Sequence, residues 1–456
     1  MTIDRRQALA GAGAALAATA AGSAWSQTGA QSGRIRKGAS TLSPNADDLV
    51  AFRDGVAAMK RRSDNRSWAR QTRLHREKAQ HGSGLFLPWH RLELAHLERI
   101  IARLTGHSTF ALPYWDWQED RFLPTWVTTP GSPLYERQRG ANANTMDFAK
   151  ARWATSRNVA RLASDSFEVF AGLPRAAGAV EAYGHNHIHV LVGGLMGRTE
   201  TAAADAVFWL HHCNIDRVWA TWHSLAKPVY PSDWGKVPLT GYIGANGEDT
   251  GTWTPGAIVE TSALGYRYDR LYPFPMFNVA SNGPEGATRQ EPIGQTAVTL
   301  SARCEPGQTK MSVTIPADIA ARLRAADDSL MIAGVGQATY KRDERLLDRC
   351  LNIDILAGER KLALGSSPTF VHVGDMGGMD HSMSAMGPGM VHDHTTGDAY
   401  GVSFQFGTEI LNLLARDAGP VTITVDAEDL TPDVKRANTE GLALEVVLTL
   451  TETRWV

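Results

Sequence analysis

The sequence has few cysteines, almost no net charge and no long apolar run. Three cysteines among 456 residues cannot form the disulfide framework of a small secreted scaffold. Because 46 basic and 48 acidic residues leave a net charge of −2, no overall field recruits nucleic acid, and we expect no such partner. No stretch reaches the ~18 consecutive apolar residues that span a bilayer, so we expect no membrane anchor. A hydrophobic content of 43% is sufficient for a sizeable core.

The first residues have the composition of an export signal. Arg5 and Arg6 precede an apolar stretch of Ala, Gly and Leu, which gives way to small residues ending near Ala24. This order resembles a bacterial twin-arginine signal over residues 1–27; the alternative is an Ala-rich disordered or helical N-terminus. The twin-arginine route carries folded proteins, which suits a chain loaded with metal before export. We therefore expect a periplasmic or secreted protein.

Two halves of the chain differ in hydrophobic periodicity. Up to about Leu225 the apolar residues recur every three or four positions, which predicts a helical bundle within residues 28–275. Residues 276–297 read as a linker because Gly, Pro and Asn are frequent there. Residues 298–456 alternate with a period of two, as at Val421, Ile423 and Val425, and predict an all-β, sandwich-like domain. The predicted fold class is α+β.

Eleven of the fifteen histidines lie between His75 and His223, inside the helical half. Pro88 can occupy the first turn of a helix, on which His90 then shares a face with the apolar residues and points into the bundle. His81, nine residues earlier, can approach the same point, and His75 can add a third nitrogen. This spacing predicts a first metal-binding triplet.

A second group of histidines follows the same logic. His185 and His189 are four residues apart, so both project from one helix face. His212 lies on an apolar stripe with Phe208 and completes a second triplet, whereas we expect the adjacent His211 to lie off that stripe. Asp216, one turn beyond His212, can orient an imidazole or pair with an arginine.

The residue types restrict the metal. Three neutral imidazoles per ion suit copper or zinc. The zinc-protease motif HExxH is absent, and a carboxylate-bridged di-iron site needs two ExxH motifs, whereas this half has one, Glu93 to His96, off the face of His90. Cys213 adjoins His212, but one helical step turns its side chain about 100° away from that ligand. The sequence therefore disfavours a blue-copper site.

Sequence signatures at these histidines resemble those of the tyrosinases and polyphenol oxidases, which are type-3 dicopper proteins. The first signature is met by His81, Phe86, His90, Arg91 and Glu98. The second is met by Asp205, Phe208, His212 and Asp216, with Ala206 in place of the usual proline. The family's HNxxH matches His185, Asn186 and His189, its glutamate four residues earlier matches Glu181, and its first ligand matches His75.

The resemblance implies a function and roles for further residues. It implies two copper ions held by the six histidines, with O2 as co-substrate and a small phenolic substrate, which is oxidised to an o-quinone. Glu181 and Asn186 together would hold a water that takes the phenolic proton. Arg91, Glu98 and Asp216 would orient histidines or form buried ion pairs. A position that carries a bulky aromatic in plant relatives falls on Thr199, which together with Val190 is assigned to substrate access.

The β half resembles, more weakly, the C-terminal domain that keeps plant polyphenol oxidases latent. Within it, residues 376–394 hold five methionines and three histidines among glycines and serines, a composition that suits copper capture. Two other classes remain open: a reversible oxygen carrier like hemocyanin, which has the same six histidines, and a copper storage or delivery protein. Only an oxidase turns over a catechol in air.

Overall fold

The structure is a computed structural model that describes residues 33–147, 167–173, 176–272, 290–304, 308–325, 330–341, 349–368, 399–406, 414, 419–429 and 443–455. The predicted export signal, residues 1–27, and the Met/His-rich segment, residues 376–394, lie outside these ranges.

The first half is helical, as its periodicity predicts. Its helices are α1 (Asp47–Lys60), α2 (Trp68–Lys78), α3 (Phe86–Thr105), α4 (Thr125–Thr128), α5 (Phe167–Phe170), α6 (Asn186–Val192) and α7 (Ala206–Ala226). A π-helical turn, Val180–His185, leads directly into α6. Within the described ranges, no helix is both long enough and apolar enough to cross a membrane.

Side-chain caps and a glycine set the ends of the helices that carry the histidines. The hydroxyl of Ser67 accepts a hydrogen bond from the N–H of Arg70 at the start of α2, and the carboxylate of Asp205 accepts from the N–H of Val207 at the start of α7. Helix α3 ends at Gly106, whose φ of 74° is the left-handed conformation that glycine adopts readily.

The second half is built from strands, which confirms the α+β fold class. Two short strands of the first half, β1 (Arg34–Arg36) and β4 (Tyr266–Tyr268), pair in parallel, and β2 (Gly172–Leu173) and β3 (Ala176–Ala177) form a small hairpin. The remaining strands are β5 (Gln290–Arg303), β6 (Lys310–Thr314), β7 (Leu330–Lys341), β8 (Arg349–Ala357), β9 (Arg360–Pro368), β10 (Ala399–Phe406), β11 (Val421–Asp429) and β12 (Ala443–Trp455). One further helix, α8 (Ala317–Arg324), follows β6.

These strands form one six-stranded and one four-stranded sheet. The first has the order β2-β3-β10-β7-β12-β5 and the second β6-β11-β8-β9. The apolar residues that alternate along the strands are fully buried, as Val446 and Leu448 on β12 and Ile423 and Val425 on β11 show. Thr424, between the latter two, is also buried, so the period of two marks the apolar face of each sheet.

The prediction of a linker over residues 276–297 is wrong at its C-terminal boundary. Strand β5 already begins at Gln290 and pairs with β12 from there on. Pro292 and Gly294 suggested a loop, but β5 is the edge strand of its sheet, where proline is tolerated, and the register shifts opposite these residues.

The two halves share a sheet, which the periodicity does not indicate. Ala177 of β3 pairs in parallel with Val402 of β10, so the hairpin of the helical half extends the six-stranded sheet. Strand β9 also packs against the π-helical turn and α6. The β half thus contacts the elements that carry His185 and His189.

Candidate metal centre

The structure brings the first three histidines together. His75 comes from the buried face of α2, His81 from the segment that follows, and His90 from the second turn of α3. One ring nitrogen of each lies within 4.8 Å of the others. The Nε2 atoms of His75 and His90 are 3.5 Å apart.

The second group assembles where the π-helical turn and α6 pack against α7. The Nε2 atom of His212 lies 3.2 Å from the Nε2 of His185 and 3.2 Å from that of His189. All three side chains are at most 1% exposed. The two groups adjoin each other, because the rings of His90 and His212 stack with centroids 4.5 Å apart.

The outer nitrogen of three of these rings is fixed by a hydrogen bond. Nδ1 of His90 donates to the carbonyl of Phe86 at 2.8 Å, and Nδ1 of His189 donates to the carbonyl of Met196 at 2.7 Å. Nδ1 of His185 lies 2.8 Å from Oδ1 of Asn186. Since an oxygen of this kind only accepts, Nδ1 carries the proton, and Nε2 presents a lone pair to the centre of its group.

The spacing of these nitrogens fits a metal ion. Two nitrogens bound to one ion at about 2.0 Å with a tetrahedral angle lie about 3.3 Å apart. The observed separations are 3.2, 3.2 and 3.5 Å. Nitrogen lone pairs that converge at this distance repel each other unless a cation or a proton lies between them. The geometry is therefore that of side chains arranged to bind a metal ion.

Burial keeps these imidazoles neutral. It lowers the pKa of His90 to about 3 and that of His189 to about 4, and it places the pKa of His185 and His212 well below the usual range. Metal binding requires an unprotonated nitrogen. The site therefore supplies ligands without a proton having to leave first at neutral pH.

His211 is closer to the second group than the sequence suggested. Its ring stacks on His185 with centroids 5.3 Å apart and lies 5.1 Å from the ring of His189. It is fully buried, and a ring nitrogen lies within 4.8 Å of a ligand atom of each of the other three. The expectation that it lies off the stripe is wrong, because His211 is three residues after Phe208 and four before Ile215, which are helical spacings to the same face.

Two phenylalanines from the sequence signatures pack among the histidines. The ring of Phe86 lies 4.7 Å from His90 and 4.7 Å from His185, and so contacts both groups. Phe208 packs on His212 with centroids 4.0 Å apart. These rings exclude water and restrict the imidazoles to one orientation.

Glu181 is a buried acid at this site and not an exposed helix residue. The backbone N–H of Gly82, next to His81, donates to its Oε1 at 2.7 Å. Its Oε2 is buried without a hydrogen-bond partner among the described residues. Burial raises the pKa of Glu181 to about 8, although hydrogen bonds from the backbone oppose the shift. The side-chain oxygen of Asn186 accepts a hydrogen bond from Nδ1 of His185.

Asp216 forms buried ion pairs with two arginines and accepts hydrogen bonds from two tyrosines. Its Oδ1 accepts from Nε of Arg91 at 2.5 Å, and its Oδ2 accepts from Arg36 at 2.9 Å. The hydroxyls of Tyr266 and Tyr268 donate to the same Oδ2. Of the two roles open for Arg91 and Asp216, the structure supports the ion pair.

Glu98 pairs with a residue that no signature indicated. Its Oε1 accepts from Nε of Arg36 at 2.8 Å and from the N–H of Leu112 at 2.9 Å. Arg36 lies on β1, so this contact and its contact with Asp216 tie the first strand to α3 and α7. Arg91 and Glu98 share a signature but not an ion pair.

The two residues assigned to substrate access differ in exposure. Val190, next to His189, is half-buried, whereas Thr199 is 1% exposed. Among the described residues Thr199 therefore lines no open entrance, and of this pair Val190 is the one that reaches solvent.

The residues that suggested other metals lie outside the two groups. Glu93 and His96 are buried, and neither their carboxylate oxygens nor their ring nitrogens have a hydrogen-bond partner among the described residues. Burial raises the pKa of Glu93 well above its usual value and lowers that of His96 to about 3, so both are neutral. Burial also raises the pKa of the Cys213 thiol, which disfavours a thiolate ligand.

Two adjoining groups of three histidines in a helical bundle are the arrangement of a dinuclear metal protein. Residues 54–145 and 127–225 match the family described as "Tyrosinase: Common central domain of tyrosinase". Tyrosinase HcTyr1 of Hahella sp. (strain CCB-MM4) is 29% identical over 269 residues, which cover 49% of this chain and 54% of that protein. Hemocyanin 1 of Megathura crenulata is 29% identical over 219 residues, 42% of this chain and 6% of that protein. Residues 54–225 are therefore similar to the central domain of tyrosinases.

A solved structure extends the likeness to both halves. The structure of latent apple tyrosinase covers 94% of this chain and 98% of its own, with a TM-score of 0.62 at 19% sequence identity. That level of identity shows a shared fold. The chain spans about half the length of the tyrosinase relative that it matches in sequence.

Proposed function

We propose that this chain is a copper-dependent oxidase that uses O2 to oxidise phenols and o-diphenols to o-quinones. The observation that carries the proposal is the convergence of Nε2 atoms in two adjoining histidine groups. The residues that would hold the ions are His75, His81 and His90 in one group and His185, His189 and His212 in the other. Two copper ions supply the binding of O2 and the exchange of electrons with the phenol.

The protein contributes orientation, exclusion of water and a proton acceptor. The carbonyls of Phe86 and Met196 hold His90 and His189 in the tautomer that binds metal. Glu181 Oε2 is free to accept a hydrogen bond from a water that takes the phenolic proton. Burial raises the pKa of this carboxyl, whereas the charge of bound metal ions would lower it, so that it can exchange a proton close to neutral pH.

Oxygen uptake with catechol tests the proposal against the two other classes. The copper-loaded full chain should consume O2 continuously, whereas a carrier would take up O2 once and reversibly, and a storage protein would not consume it. His90→Ala and His212→Ala should each lose one copper ion per chain and the activity. His107→Ala is the matched control, since His107 is partly exposed and lies outside both groups. Full activity in either ligand variant would overturn the proposal.

We further propose that the β half limits access to the metal centre. The pairing of β10 with β3 and the packing of β9 on α6 support this, because both lie next to the residues that carry His185 and His189. Proteolytic cleavage within residues 276–289, before β5, followed by separation of the two fragments, should raise activity toward a bulky phenol more than activity toward catechol. Unchanged activity toward both would show that this half is no gate.

We also propose export by the twin-arginine route, supported by Arg5, Arg6 and the apolar stretch after them. Replacing both arginines with lysine should leave the protein in the cytoplasm when cells are fractionated. Continued export of that variant would contradict the proposal.

A further inference from the structure

His81 differs from the other five proposed metal ligands in the backbone that carries it. The other five lie on helices or on the π-helical turn. His81 lies in the irregular segment 79–85 between α2 and α3, where the repeating hydrogen bonds of a helix do not fix the chain. Contacts from other parts of the molecule must therefore set the position of its ring.

A carboxyl group from a distant segment holds the backbone next to His81. Oε1 of Glu181 accepts a hydrogen bond at 2.7 Å from the backbone N–H of Gly82, which is 99 residues away in the sequence. Gly82 has a φ of 66°, a left-handed conformation that glycine adopts without strain. Because Glu181 is 1% exposed, bulk water does not compete for this hydrogen bond.

Glu181 also belongs to the backbone that carries the second histidine group. It lies four residues before His185, on the same π-helical turn. The rings of His81 and His185 face each other across the site with centroids 5.8 Å apart. One turn of backbone thus provides a ligand for the second metal ion and the acceptor that holds the segment of the first.

A second hydrogen bond holds the same segment two residues further on. The indole N–H of Trp234 donates to the carbonyl of Gly84 at 2.7 Å. Trp234 is itself buried, and its ring stacks on Tyr230 with centroids 4.8 Å apart. A Cβ atom at Gly84 would lie 3.1 Å from the carbonyl oxygen of Gly172, so the backbone is packed closely here. The chain after His81 is therefore held from two sides.

We propose that Glu181 and Trp234 position His81 for metal binding by holding the backbone that follows it. Both act through the main chain, so they are positioning residues for the first metal ion. This role uses Oε1 of Glu181 and leaves Oε2 for the proton transfer proposed above. The inference rests on the proposed metal centre but not on the reaction with a phenol.

Copper affinity measured one group at a time tests the proposal. In full-length His212→Ala only the first group should hold copper, and in His90→Ala only the second. Adding Glu181→Leu to His212→Ala should weaken copper(I) binding about 10–100-fold in competition with a chromophoric chelator, as expected for loss of a group that orients a ligand. Adding it to His90→Ala should change the affinity much less, whereas a general loss of structure would weaken both groups.

Two matched variants separate the hydrogen bond from the loss of a buried carboxyl group. Glu181→Gln retains an oxygen that can accept from Gly82, so in the His212→Ala background it should bind copper about as tightly as its parent. Glu93→Leu makes the same change as Glu181→Leu at a buried carboxyl outside both groups, and it should also leave the affinity unchanged. Weakening by Glu93→Leu as large as that by Glu181→Leu would overturn the proposal.

Trp234→Phe provides an independent test, which also applies if Glu181→Leu does not fold. It keeps an aromatic ring but removes the N–H that holds Gly84, so copper binding by the first group should weaken about three- to ten-fold. An affinity equal to that of the parent in either variant, or an equal loss in both backgrounds, would contradict the positioning role. If His212→Ala alone binds no copper, the proposed metal centre itself is wrong.

Discussion

Asp216→Asn should destabilise the helical half more than any surface change of the same kind. The substitution keeps the size of the side chain but removes the charge that faces Arg91 at 2.5 Å and Arg36 at 2.9 Å. Arg36 retains Glu98, whereas Arg91 keeps only backbone carbonyls, so one buried guanidinium is left without a carboxylate. Breaking a buried pair in this way costs about 3–5 kcal/mol. For a unit of this size the loss lowers the Tm on the order of 10 °C.

Thermal unfolding followed by tryptophan fluorescence measures the effect, since most of the thirteen tryptophans lie in the helical half. Asp54→Asn is the control, because Asp54 is exposed and pairs with exposed Arg53. Its Tm should not change. A Tm for Asp216→Asn that falls no further than that of the control would refute the ion-pair account.

The same prediction has a pH dependence. Burial acts to raise the pKa of Asp216, but Arg91 and Arg36, helped by hydrogen bonds from two tyrosines, outweigh it and hold the pKa below its usual value. The stability difference between the unmodified protein and Asp216→Asn should therefore be complete above pH about 3.9, the unfolded-state pKa. It should shrink as the pH falls through the lower, folded-state pKa. A difference that grows on acidification would contradict this sign.

Three further outcomes are expected. Glu181→Gln should lower the hydroxylation of a monophenol by about 10² or more while oxidation of catechol falls less, as steady-state rates will show, because catechol is the more acidic phenol and depends less on a protein base. His211→Ala should keep two copper ions per chain, since His185, His189 and His212 suffice for one ion; loss of a copper in elemental analysis would make His211 a ligand. Gly178→Ala should lower the Tm strongly, because its Cβ would lie 2.4 Å from backbone atoms, whereas at Gly184 the nearest atom is 3.8 Å away and Ala should be tolerated.

The helical half and four of the histidines could be predicted because their positions follow from helical spacing. His90, His185, His189 and His212 lie on stripes that the pattern of apolar residues defines. His75 and His81 required the further assumption that the chain before α3 folds back, which α2 fulfils.

Contacts between distant segments left no such signal. Arg36 is 62 residues from Glu98 and 180 from Asp216, and a single arginine in a short strand carries no periodicity. The pairing of Ala177 with Val402 also leaves no periodic pattern. It joins a strand of two residues to one of eight through a single residue pair. His211 was missed because a helical stripe is wide enough to include two adjacent residues, and only the packing of α6 on α7 decides which of them reach the site.

Anomalous diffraction at the copper absorption edge, from crystals of the copper-loaded full chain, tests the central claim most directly. We expect two copper peaks, one bonded to nitrogens of His75, His81 and His90 and the other to nitrogens of His185, His189 and His212. A single peak, or copper bound away from these six histidines, would contradict the account.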